Sequence, residues 1–293
     1  MTLTQIIENQ LKIDRSAMEK AIETAKKQAE TDKKNTTLVA KLLNLIDLTT
    51  LEGKDTTSKV REFSQKAKSI SAQYPNFPNV AAVCVYPTLV ATAKNELKDT
   101  SIRVASVATG FPSGQLPLDL KIAEVQYALK QSADEIDMVI SRGTFLMHDY
   151  KTVFTEIQEI KKVCGQKTLK VILETGELET LENIQLASDI AILAGADFIK
   201  TSTGKIPQGA SLEAVYVMLQ SIKNSGKTIG IKPSGGISSV EDALQYYHLI
   251  AQELGKKWLK NSLFRFGASS LAGKILGTLT HDKEAENFFK SGY

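Results

Sequence analysis

The stretch Ala196-Asp197-Phe198-Ile199-Lys200-Thr201-Ser202-Thr203-Gly204-Lys205 decides the reading of this chain, together with Thr228-Ile229-Gly230-Ile231-Lys232-Pro233-Ser234-Gly235-Gly236. Each is a short apolar run that reaches a lysine and passes into a polar loop containing glycine. An ammonium among buried strand residues is costly unless it is paired or gives up its charge. A lysine driven toward neutrality is an amine nucleophile, the chemistry of enzymes that form imines with carbonyl substrates. Strand alternation puts Phe198, Lys200 and Ser202 on one face, and Gly230, Lys232 and Ser234 on one face of the next strand. The helix-facing side of a buried parallel strand is apolar, which favours an inward direction for both lysines.

Similar apolar runs recur every 25–35 residues from Leu42 onward. They predict strands near 43–48, 80–86, 102–108, 134–140, 169–174, 196–201, 228–232 and 263–268. Segments with helical period lie between them, at 118–130, 181–194 and 211–223. Parallel strands need crossover connections, and eight such units in ~240 residues have the count and size of a (β/α)8 barrel, the TIM-barrel fold. A doubly wound open sheet is the alternative. No Gly-x-Gly-x-x-Gly opens a helix, so a dinucleotide site is not supported. The expected organisation is a helical extension over 1–40, a catalytic barrel over 41–280 and a tail over 281–293. The extension is read as solvated, with an oligomer contact as the minor alternative.

Of the 293 residues 42% are hydrophobic and 24% charged, and 36 basic against 33 acidic residues leave a net charge of +3. That balance argues against a nucleic-acid-binding protein. The two cysteines, Cys84 and Cys164, offer no disulfide framework. The first residues show no basic-then-apolar leader, and the uncharged segment 80–93 is too short to span a bilayer and contains Pro87. A cytoplasmic protein with no membrane partner is expected.

In such a barrel the active site lies at the C-terminal ends of the strands. Lys200 and Lys232 end strands six and seven, Asp137 lies in strand four, and Lys170 and Glu174 in strand five. Neighbouring strands are ~4.8 Å apart. Two ammoniums ~4 Å apart at an effective dielectric of ~20 repel by roughly 4 kcal/mol, or about 3 pKa units, enough to bring one lysine toward neutrality. Desolvation pushes the same way. The alternative is that both lysines are structural, paired to Asp137 or Glu174. Three glycine- or serine-rich loops follow strands six, seven and eight: Ser202 to Lys205, Ser234 to Ser238, and Gly267 to Ser270. Glycines let backbone amides approach an anion, and a helix N-terminus adds its dipole. His148, His248 and His281 lack metal-ligand spacing, no Ser/His/Asp arrangement is legible, and Cys84 reads as a core residue.

The segments Leu45-Ile46-Asp47-Leu48-Thr49-Thr50-Leu51, Glu135-Ile136-Asp137, Val171-Ile172-Leu173-Glu174-Thr175-Gly176-Glu177-Leu178, 194–205 and Phe264-Arg265-Phe266-Gly267-Ala268-Ser269-Ser270 resemble the deoxyribose-phosphate aldolase family. The resemblance runs over about 41–279. It implies a (β/α)8 barrel that reversibly cleaves 2-deoxy-D-ribose 5-phosphate to D-glyceraldehyde 3-phosphate and acetaldehyde, without metal or organic cofactor. It implies Lys200 as the Schiff-base lysine, Lys232 as the lysine that perturbs it, and Asp137 as a carboxylate that shuttles protons with a water. Asp47 matches a polar position near the substrate and Thr203 one near its hydroxyls. Gly204, Lys205, Gly235, Gly236, Gly267, Ser269 and Ser270 match the substrate- and phosphate-binding loops. Some members place a C-terminal tyrosine in the site, and Tyr293 is the matching residue. Ser234 and Ser238 depart from the family pattern, which has alanine and a basic residue there. A homo-oligomer, a dimer, is the expected assembly. The alternatives are a Schiff-base aldolase or transaldolase for another sugar phosphate, and a non-catalytic sugar-phosphate-binding barrel.

Overall fold

A computed structural model describes residues 2–8 and 12–289. Eight strands form one parallel sheet: β1 (Ile46–Thr49), β2 (Ala82–Val85), β3 (Arg103–Ala108), β4 (Glu135–Val139), β5 (Thr168–Ile172), β6 (Phe198–Lys200), β7 (Gly230–Lys232) and β8 (Phe266–Ala268). From β1 to β7 each strand pairs with the next in sequence, and β1 also pairs with β8, giving the order β7-β6-β5-β4-β3-β2-β1-β8. Single parallel bridges, Ile231 to Phe264 and Ser234 to Gly267, join β7 to β8 and close the cylinder. Pro233 removes a donor at this seam, but its carbonyl still accepts from Gly267 N at 2.9 Å.

Among the described residues thirteen α-helices accompany the sheet: α1 (Leu3–Glu8), α2 (Arg15–Asp32), α3 (Thr36–Leu43), α4 (Thr57–Gln73), α5 (Val90–Leu97), α6 (Leu118–Lys130), α7 (Arg142–Leu146), α8 (Tyr150–Cys164), α9 (Leu181–Leu193), α10 (Leu212–Ser225), α11 (Val240–Leu254), α12 (Leu271–Thr280) and α13 (Lys283–Glu286). A helix crosses over between every successive pair of strands, so the (β/α)8 barrel holds and the open doubly wound sheet does not. Local chemistry sets the boundaries. Ser211 caps α10 by accepting from Ala214 N, and Ser239 and Asp242 form a capping box at α11.

Three differences from the sequence expectation have physical causes. The run predicted as strand at 43–48 is divided: Leu42 and Leu43 end α3, which Asn35 caps, and the strand begins at Ile46. Glu174 is not in β5 but just past it, in the left-handed region with φ 57°, opening a single 3-10 turn. The N-terminal helices are not simply solvated. Met18, Ile22, Ala25 and Ala29 form a buried stripe at helical spacing on α2, which lies along α11.

One apolar shell fills the space between sheet and helices. Inside the barrel the lining is divided. Leu51, Cys84, Ala105 and Val107 make a small apolar cluster on the β1–β3 side, whereas the buried charged residues gather elsewhere in the lining, beside Phe198 and the glycines Gly230 and Gly267.

Candidate active site

Strand register brings the charged residues to matched heights. Asp137 pairs with Lys170, Ile172 with Lys200, and Lys200 with Lys232. All these lysines and Asp137 are buried. Lys200 Nζ and Lys232 Nζ both donate to Asp137 Oδ2, at 2.8 and 2.7 Å. The two amines therefore face one point inside the cylinder, as strand parity predicted. Lys232 Nζ also lies 2.5 Å from Asp47 Oδ2. Lys170 Nζ lies 2.9 Å from Asp137 Oδ1, 3.2 Å from Asp47 Oδ2 and 2.5 Å from Glu135 Oε2. Arg265 completes the floor, contacting Asp47 and donating to Glu135 Oε1 at 2.9 Å.

Charge counting separates the lysines. Four buried cations, Lys170, Lys200, Lys232 and Arg265, meet three buried carboxylates, Asp47, Glu135 and Asp137. With every base protonated the cluster carries one excess positive charge in a medium that tolerates none. Among the described residues Lys200 touches one carboxylate, Lys232 two and Lys170 three. Lys200 is thus the cheapest to discharge. Its pKa is lowered, first by burial and then by the Lys232 charge, against the pull of Asp137. Burial also acts to lower Lys232, but Asp137 and Asp47 outweigh it and hold that lysine above its ordinary value. Lys170 is raised in the same way. Burial would raise Asp137, yet Lys170, Lys200 and Lys232 hold it well below the usual carboxylate range. A second lysine stands where the sequence placed one, but its effect on Lys200 ranks behind desolvation and behind the opposing pull of Asp137, which lies between the two amines.

Two glycines make the interior possible. A Cβ on Gly230 would lie 2.4 Å from ring carbons of Phe198, and one on Gly267 would lie 2.5 Å from Ser234 Oγ and 3.1 Å from Lys232 Cε. Gly267 thus gives Lys232 its room. Cys84 is buried near the lysines, and desolvation pushes its thiol up to about 11, so it is a core residue rather than a nucleophile.

The predicted phosphate loops converge. Gly204, Lys205, Ser234, Gly235, Gly236, Ser238, Gly267, Ser269 and Ser270 line one cleft of about 230 Å³ at the strand C-termini, joined by Thr49, Leu51 and Glu52. Gly235 and Gly236 adopt φ of 79° and 77°, conformations that favour glycine. Gly209 packs so closely on Gly235 that a Cβ would meet its backbone at 2.4 Å. Ala210 N donates to the carbonyls of Ser234 and Gly235, locking the loops after β6 and β7 together. The start of α12 faces the cleft behind Ser269 and Ser270. Thr203 stands beside this lining, its hydroxyl and amide both bonded to Glu174. Tyr293 lies outside the described residues.

Sequence reading singled out Asp137 and the two lysines but gave no role to Glu135, Arg265 or Glu52. The signal for the first two was present: Glu135 and Asp137 are two apart on one strand, and Arg265 and Gly267 likewise, so each pair shares an inward face. Glu52 sits in a loop, where no period marks it. Among the described residues no cluster of His, Cys, Asp and Glu could hold a metal ion.

Residues 41–277 match the model of the DeoC/LacD aldolase family. Human deoxyribose-phosphate aldolase is 43% identical over 255 residues, covering 82% of this chain and 80% of that protein, and the bovine enzyme of that name aligns with the same figures. A solved structure described as a tetrameric deoxyribose phosphate aldolase from Aeropyrum pernix superposes with a TM-score of 0.65 at 26% identity, covering 85% of this chain and 96% of that one.

Proposed function

The chain belongs to the DeoC/LacD family of aldolases, and from that premise we propose that it reversibly cleaves 2-deoxy-D-ribose 5-phosphate to D-glyceraldehyde 3-phosphate and acetaldehyde through an imine on Lys200. The observation that carries this reading is the buried, uneven charge cluster, in which one lysine of three has a lowered pKa and stands at the end of β6, the strand whose following loop brings Gly204 and Lys205 to the glycine-rich cleft. The neutral Lys200 amine attacks C1 of the open-chain aldehyde, and the carbinolamine loses water to give an iminium. Removal of the proton on the C3 hydroxyl then breaks the C2–C3 bond. The electron pair moves into the iminium as an enamine, and glyceraldehyde 3-phosphate leaves. Protonation at C2 and hydrolysis release acetaldehyde and restore the amine.

Asp137, with a water, moves protons in the carbinolamine and aldol steps. Its low pKa suits a relay that passes a proton on rather than keeping it. Lys232, held protonated by Asp137 and Asp47, discourages the charged form of Lys200. Asp47 anchors Lys232 from below. Gly204, Lys205, Gly235, Gly236, Gly267, Ser269 and Ser270 hold the phosphate, Thr203 lies near the sugar hydroxyls, and Tyr293 assists reprotonation. No metal or organic cofactor enters this scheme.

The proposed catalytic unit is 41–280, with an extension at 1–40 and a tail at 281–293. Helix α3 runs across the first boundary, and Phe288 and Phe289 of the tail pack on Tyr74 and Phe63. A cytoplasmic homo-oligomer, a dimer, completes the proposal. Its cysteines are both free and buried, and no described helix is long and apolar enough to cross a membrane. The experiment is a cleavage assay with 2-deoxy-D-ribose 5-phosphate, detecting both aldehydes, against a panel of other sugar phosphates. Equal or better turnover of another sugar phosphate would favour the alternative Schiff-base aldolase. Binding without cleavage would favour the non-catalytic barrel.

A further inference from the structure

Among the described residues lining the glycine-rich cleft, Lys205 is the one basic side chain and Glu52 the one acidic side chain. They are already paired, Lys205 Nζ to Glu52 Oε1 at 2.9 Å. Lys205 follows β6 and Glu52 follows β1, so the pair reaches across the cleft over the ends of β7 and β8. Glu52 is not on a loose tip. Its amide donates to Asp55 Oδ2 at 2.9 Å, its carbonyl accepts from Asp55 N at 2.9 Å, and Asp55 is itself held by the Thr50 hydroxyl at 2.8 Å and Lys59 at 2.7 Å. The remaining lining is glycine, hydroxyl and apolar. A phosphate dianion entering this cleft meets side chains whose charges cancel, and Lys205 serves it with a charge it shares with Glu52.

We propose that Glu52 is a specificity-determining residue that competes with the substrate's phosphate for Lys205 and so narrows the enzyme's preference for phosphorylated over unphosphorylated substrates. The proposal rests on the reading of this cleft as the phosphate site. Its physical basis is the Lys205–Glu52 ion pair, which the phosphate has to loosen before it gains the full charge of the ammonium; for a part-exposed pair that is worth a factor of roughly three to ten in affinity. Glu52 is half exposed, so added salt reduces the effect. The exposure also means that Glu52→Gln leaves the fold undisturbed.

The test compares the wild type, Glu52→Gln, Lys205→Met and the double variant. It measures inorganic phosphate binding by calorimetry, and KM for 2-deoxyribose 5-phosphate and for unphosphorylated 2-deoxyribose. Glu52→Gln is expected to tighten phosphate binding and lower KM for the phosphorylated sugar roughly three- to tenfold, with the unphosphorylated sugar unmoved. Most of that gain should vanish in the Lys205→Met background. Unchanged or weaker phosphate binding in Glu52→Gln, or an equal gain for both sugars, overturns the proposal. A wild type that binds no phosphate and does not distinguish the two sugars overturns the phosphate-cleft reading itself, and Glu52's role with it.

Discussion

The interior of the barrel and the rim above it solve opposite problems with opposite materials. The interior is buried and built from side chains: seven charged groups, all but fully buried, arranged so that one amine has the fewest counter-ions. The rim is open and built largely from backbone, with glycines at positive φ, the start of α12 and a few hydroxyls. Charge inside a low-dielectric core is strong and each group matters; charge at a wet surface is screened and the effects divide among many small contacts. Substitutions should therefore act on chemistry in the interior and on affinity at the rim.

The largest expected effect is at Lys200. Lys200→Met should reduce turnover to background and at the same time raise the melting temperature at neutral pH. The sign follows from its lowered pKa: the unfolded chain binds this proton more tightly than the folded one, so below the unfolded value of ~10.4 the group costs stability, and stability rises with pH between the folded and unfolded pKa. Thermal melts and the cleavage assay on one preparation check both halves. A variant that lost activity because it had unfolded would break the contrast between the two regions.

Lys232→Met is expected to lower kcat by roughly a hundredfold at neutral pH. It should also move the acid limb of the kcat/KM profile to higher pH. Removing that cation takes away a repulsion and leaves Asp137 freer to hold Lys200 protonated, and both push the Lys200 pKa up. A limb that stays in place, or moves to lower pH, would contradict the charge accounting.

At the rim, Gly236→Ala should raise KM for the phosphorylated substrate a few-fold with kcat little changed. The Cβ meets nothing within 4 Å, so the cost is the φ of 77°, about 1 kcal/mol. A fall in kcat without a change in KM would blur the division between interior and rim.

The sequence disclosed the interior better than the rim for a physical reason. A lysine inside an apolar strand contradicts its surroundings, and strand period two puts it on one face with its neighbours, so an inward direction was favoured for Lys200 and Lys232 before any coordinates. All eight strands were likewise announced by β-branched runs, although 43–48 overran into α3 because Leu42 and Leu43 suit a helix end as well as a strand. What sequence could not supply was the partner list. That Asp137 lies between the two amines, that Lys170 has three carboxylates and Lys200 one, and that Arg265 and Asp47 form the floor depend on register between strands far apart in the chain. Glu52 was invisible for a related reason, since the contact that distinguishes it is to a loop 153 residues away. The stripe of Met18, Ile22, Ala25 and Ala29 was legible as a helical period but was masked by the many charged residues around it.

Reductive trapping tests the central claim most directly. Acetaldehyde and borohydride are added over a range of pH, and peptide mass mapping locates the adduct. The account predicts a single modified lysine, Lys200, with a yield that falls as pH drops through its depressed pKa while Lys170 and Lys232 stay unlabelled. An adduct on Lys232 or Lys170, or labelling that needs the high pH of an ordinary lysine, would contradict it.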